Sequence, residues 1–87
     1  MITLEKLKVF EKYKGDDDRF TRASKNDLAI LSEDEFYSIQ RLISDLKLIV
    51  NGIAAVNFEA QVLEQINILI DNDMTKDYLL KLSKTLK

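Results

Sequence analysis

A chain of 87 residues builds one hydrophobic core and is too short to divide into two, so residues 1–87 are read as a single domain. With 46% hydrophobic residues, 32% charged residues and a net charge of −2, it has the apolar content for that core, and the balance argues against a disordered acidic chain or a strongly basic one. It contains no histidine, cysteine, tryptophan or proline, which removes the usual neutral-pH base, the usual thiol nucleophile, any disulfide and the strongest transition-metal ligands.

The hydrophobic period is helical almost throughout. Leu4, Leu7, Phe10 and Tyr13 recur every three residues. Thr3 is placed to cap that helix and Gly15 to end it, which predicts a first helix over 4–14. Asp16-Asp17-Asp18 precedes Arg19, Phe20 and Ala23 and predicts a short helix near 17–24. Ser24 to Asp27 reads as a linker, and Leu28 to Leu31 as an apolar knot of about one helical turn. Ser32-Glu33-Asp34-Glu35 is a capping box. The stripe that follows it, Phe36, Ile39, Leu42, Ile43, Leu46, Ile49 and Val50, predicts a helix over 33–51.

Asn51-Gly52 admits two readings. It is a helix stop, or it is a hairpin turn between Leu48-Ile49-Val50 and Ile53-Ala54-Ala55-Val56. Neither flank alternates apolar and polar residues, so the helix stop is preferred. The next helix is predicted over 57–71, capped by Asn57, with Phe58, Val62, Ile66, Leu69 and Ile70 on one stripe and Leu63 beside it. A last helix over 75–86, capped by Thr75 or Asp73, carries Tyr78, Leu79, Leu82 and Leu86. The fold expected is therefore all-α: a small single-domain bundle of four main helices plus one short one, with antiparallel neighbours among the last three. Its predicted core is Leu4, Leu7, Phe10, Phe20, Phe36, Ile39, Leu42, Ile43, Leu46, Ile49, Val62, Ile66, Leu69, Leu79, Leu82 and Leu86.

Chemistry-bearing constellations are few. Asp16–Asp18 and Asp71-x-Asp73 are dense in oxygen ligands. As calcium loops they fail at the sixth position, Thr21 and Lys76, and at the twelfth, Asp27 and Leu82. Glu33, Asp34 and Glu35 open a helix, where the dipole pulls carboxylate pKa values down, opposite to what an acid–base catalyst needs. No catalytic, metal or cofactor site is assigned. As a helix-turn-helix reader, the helix after Ser32 would present those carboxylates to phosphates. The ends are basic. Residues 1–14 carry +2 (Lys6, Lys8, Lys12 and Lys14 against Glu5 and Glu11), and residues 74–87 carry +3 (Lys76, Lys81, Lys84 and Lys87 against Asp77), leaving −7 between them.

No run of roughly 18 apolar residues is present to span a bilayer. The start, Met1-Ile2-Thr3-Leu4-Glu5-Lys6, is not that of a signal peptide, so a cytoplasmic location and no membrane partner are expected. Leu28–Leu31 and Leu48–Val56 hold more apolar residues than one helix face buries. Leu28, Ile30, Leu31, Tyr37, Leu48, Ile53 and Val56 are accordingly the candidate partner surface. The function expected is a non-enzymatic helical interaction module, an adaptor, inhibitor or accessory subunit, with a protein partner or a second copy of itself. The alternative is weak nucleic-acid binding or regulation through the basic terminal helices.

Overall fold

The computed structural model describes residues 1–53 and 55–85. Ala54, Leu86 of the predicted core and Lys87 of the basic C-terminal segment lie outside the described residues. Six α-helices and no strand occur among the described residues: α1 Leu4–Tyr13, α2 Asp17–Thr21, α3 Lys25–Ile30, α4 Glu33–Val50, α5 Val56–Leu69 and α6 Asp73–Thr85. This is the all-α architecture the hydrophobic period predicts.

Local chemistry explains most of the ends. Thr3 accepts a hydrogen bond from the Lys6 amide and caps α1. The chain then leaves α1 through two left-handed residues, Lys14 (φ 52°) and Gly15 (φ 71°). Asp16 caps α2 by accepting from the Arg19 amide. At α4 the capping box is complete: Ser32 Oγ accepts from the Glu35 amide, and Glu35 Oε1 accepts from the Ser32 amide. Helix α4 ends in a Schellman motif. The Gly52 amide donates to the Ile49 carbonyl and the Ile53 amide to the Leu48 carbonyl, each at 3.0 Å, with Gly52 at φ 70°. Asn51-Gly52 is thus a helix stop and not a hairpin turn.

Three expectations are corrected. Ser24–Asp27 is no linker. Ser24 Oγ accepts from the Asp27 amide at 3.2 Å, and the Ser-x-x-Asp pattern starts a six-residue helix. Helix α5 starts at Val56 with Ala55 in the cap position and no side-chain cap, so Asn57 already lies inside the first turn. Neither Thr75 nor Asp73 caps α6. Asn72 Oδ1 accepts from the Met74 and Thr75 amides at 2.9 and 3.3 Å, because its short amide reaches both orphan donors from just outside the helix.

The long helix α4 is the spine. It packs most extensively on α6 and also contacts α1 and α5, while α1 lies along α6 and carries α2 and α3. At the centre, Phe36 of α4 stacks on Phe20 of α2, with centroids 4.1 Å apart and planes 9° apart, and meets Phe10 of α1 at 4.9 Å. Tyr13 closes edge-on against Phe20 at 5.6 Å. Of the predicted core, Leu7, Phe10, Phe20, Phe36, Ile39, Leu42, Ile43, Leu46, Val62, Ile66, Leu79 and Leu82 are buried, and Ile49 and Leu69 pack partly buried against them. Leu4 is only half-buried, because α1 turns Leu7 and Phe10 inward instead. Ile2, Val9, Tyr13, Leu31 and Ile70 complete the core. The Ile2 amide also donates to the Leu69 carbonyl at 3.0 Å, tying the residues before α1 to the end of α5.

Truncating the central ring tests this packing. Phe36 is fully buried, so Phe36→Ala is expected to cost about 3–5 kcal/mol in urea denaturation; an unchanged midpoint would place the ring in solvent. At the α4 stop, Gly52 sits at φ 70° with no atom of the described residues within 4 Å of an added Cβ, so Gly52→Ala is expected to carry backbone strain. A loss of about 1–2 kcal/mol is expected, and a neutral result would exclude the left-handed stop.

Candidate functional site

Two polar clusters tie helices to α1, one at the short α3 and one at the start of α4, and both displace pKa values. Asp27, buried at the start of α3, accepts from Tyr13 Oη at 2.5 Å and from Lys12 Nζ at 2.8 Å. Lys12 and Tyr13 hold the Asp27 carboxyl below its ordinary range. In return, Asp27 raises Tyr13, with burial adding to the effect, and raises Lys12. Nearer the start of α1, the Glu35 carboxylate bridges the capping box to Lys6. Its pKa is lowered first by Lys6 and then by Ser32. The depression expected of a carboxylate at this helix start is therefore present, with Lys6 as its main cause. Tyr37 is raised by partial burial and by the nearby Asp17 and Glu33.

The triple aspartate is used structurally. Asp16 caps α2, and Asp17 Oδ1 accepts from Gln40 Nε2 at 3.0 Å. The same amide donates to the Gly15 carbonyl at 2.9 Å, clamping the α1–α2 turn onto α4. Among the described residues no three carboxylates converge on a point where a metal ion could be held.

A groove of about 420 Å³ lies between α4 and α5. Leu42, Val62, Leu69 and Phe58 supply apolar lining, and Ser38, Arg41, Asp45, Gln61 and Gln65 supply polar groups. The carboxylates with displaced pKa values, Asp27 and Glu35, are not among its lining residues.

The candidate surface residues fall into two groups. Leu31 is fully buried and Ile30 packs half-buried on the core, because α3 turns that side of the Leu28–Leu31 knot inward; neither belongs to a free surface. Leu28, Tyr37, Leu48, Ile53 and Val56 are exposed. The last three lie where α4 gives way to α5, and there the exposed apolar set is larger than expected: Val50 50%, Ile53 71%, Val56 81%, Leu63 46% and Ile68 67%. Helix α5 buries only Val62 and Ile66, with Phe58 and Leu69 partly covered. Val56, Ala60 and Leu63, at spacings of four and three, form a second apolar stripe turned away from that face. From Leu48 to Thr75 the sequence has no lysine or arginine, and its charges are Glu59, Glu64, Asp71 and Asp73. That charge depletion was the legible signal for Leu63, which periodicity alone set beside a core stripe, and for Ile68, which periodicity left unassigned.

Comparison with protein-family models, curated proteins and solved structures finds no match.

The shifted groups set a pH profile. Asp27 and Glu35 contribute fully above their ordinary values of 3.8 and 4.5, and the contribution is lost as pH falls through their lowered folded values. Tyr13 and Lys12 contribute fully below 10.0 and 10.5, and that share is lost as pH rises through their raised values. Asp27→Asn is expected to shrink both arms of a denaturation-midpoint profile, leaving Glu35 in acid and the burial of Tyr13 in alkali. A profile superimposing on that of the parent chain would show that the Lys12–Tyr13–Asp27 cluster does not form.

Proposed function

We propose that this protein is a non-enzymatic helical interaction module, an adaptor, inhibitor or accessory subunit that acts by binding a protein partner or a second copy of itself. One observation carries the reading: α5 is packed on one side only and turns a second, charge-depleted apolar stripe to solvent, continuous along the sequence with exposed Val50 and Ile53. Surfaces whose centres are apolar and poor in charge are those that proteins bury against one another. The residues of the chemistry-bearing clusters support the same view, since each carboxylate with a displaced pKa has a structural duty, capping a helix or tying α3 to α1. A cytoplasmic site of action goes with the cysteine-free composition. No helix among the described residues is long and apolar enough to cross a membrane.

A second reading is favoured by one observation. Helices α1 and α6 lie side by side, and Lys8, Lys81 and Lys84 are exposed on them, as a basic face requires. Glu5, Glu11 and Asp77 are interspersed there, and Glu11 accepts from Tyr78 Oη across the α1–α6 contact, so the face is mixed in sign. This makes nucleic acid the weaker partner.

Leu63→Glu separates folding from association. Leu63 is largely exposed, so the variant is expected to stay within about 0.5 kcal/mol of the parent in denaturation. It should lose whatever association sedimentation and cross-linking in the native cell detect. A strictly monomeric parent with no specific cross-linked partner would end this reading.

A further inference from the structure

From the charge around the exposed α5 stripe, we infer that its occupant is an amphipathic helix of another protein, with an apolar face flanked by lysine or arginine. The inference rests on the interaction-module reading and specifies its partner. Along α5, Val56, Ala60 and Leu63 mark the stripe, and helical periodicity sets Glu59 on one side of it and Glu64 on the other. Ala60, between two larger residues, leaves a depression into which one apolar side chain of a facing helix fits. The stripe is therefore apolar in the middle and anionic on both edges, with no cation of its own segment to neutralise them.

A helix laid along it needs apolar residues three and four apart, to match the spacing, and cations beside them, to meet the glutamates. From Val56 to Leu63 the stripe is about 11 Å long, with Asn67 next along the same face, so it takes roughly two turns of a partner helix. A second copy is the poorer occupant. It would bring the same stripe with the same two glutamates, and pairing α5 on α5 sets carboxylates beside carboxylates with no lysine or arginine between Leu48 and Thr75 to intervene. An anionic membrane surface is disfavoured by the same sign.

The test uses the full chain and two synthetic helical peptides of matching length. One has leucines at helical spacing with lysines elsewhere; in the other every lysine is glutamate. Titration calorimetry at low salt should show the lysine peptide binding at least about tenfold more tightly than the glutamate peptide, with the difference shrinking as salt is raised. Leu63→Glu should weaken the lysine peptide by about tenfold or more, and the double variant Glu59→Lys/Glu64→Lys should reverse the preference between the peptides. Circular dichroism on each variant verifies that the fold is intact. Equal binding of the two peptides, or lysine-peptide binding indifferent to both variants, overturns the inference. Self-association in sedimentation that Leu63→Glu abolishes, with neither peptide bound, overturns the basic partner and leaves the interaction module standing. A monomer that binds neither peptide and cross-links to nothing in the cell removes both.

Discussion

The stack of Phe36 on Phe20, with Phe10 and Tyr13 against it, is the contact on which the rest of the fold depends. Helices α2 and α3 have five and six residues, far below the length at which a helix persists in water on its own. They exist because α2 delivers Phe20 into the stack, and because α3 delivers Asp27 to the hydroxyl of the same Tyr13 that edges Phe20. The rings thus order three helices directly, and a fourth through one phenol. Gly15 is part of the same arrangement. A Cβ there would meet the Phe10 ring at 3.5 Å, an ordinary contact distance, so it is the left-handed backbone and not space that asks for glycine in the turn that brings Phe20 back over Phe36.

How much of this the sequence revealed depended on whether the deciding interaction was local. The α4 limits were legible because a capping box and a Schellman glycine are written in contiguous residues. The α3 helix was signalled too, by Ser24-x-x-Asp27, but the polar residues between obscured it. Its stability comes from Tyr13, which lies more than a dozen residues upstream. The α5 start was illegible because no side chain caps it. Five of the seven candidate surface residues are exposed, and the two that are not, Ile30 and Leu31, have a physical reason. An apolar surplus in a short segment shows that something must be buried, but only packing decides which side turns inward. Around Leu31 the core covers it. Around Ile53 and Val56 no described residue does.

This division explains how a very small domain can hold both a stable body and a free apolar face. The body, α1 to α4 with α6, concentrates the aromatic rings and the paired charges. Helix α5 is attached mainly to α4 along one edge, leaving the groove between them and the stripe beyond. A face that keeps charge off its apolar centre gives up solubility to gain affinity, and the two glutamates beside the stripe limit that loss while restricting what can bind.

The hydrogen bond from the Ile2 amide to the Leu69 carbonyl gives this arrangement a mechanical side. Of the four longer helices α5 has the fewest buried residues, so its local opening takes less free energy than that of α1, α4 or α6. When it lifts from α4, that bond is given up with it, which couples the opening to the residues leading into α1. Whatever grips the outer stripe of α5 therefore also bears on the hydrogen bond that holds the entry to α1.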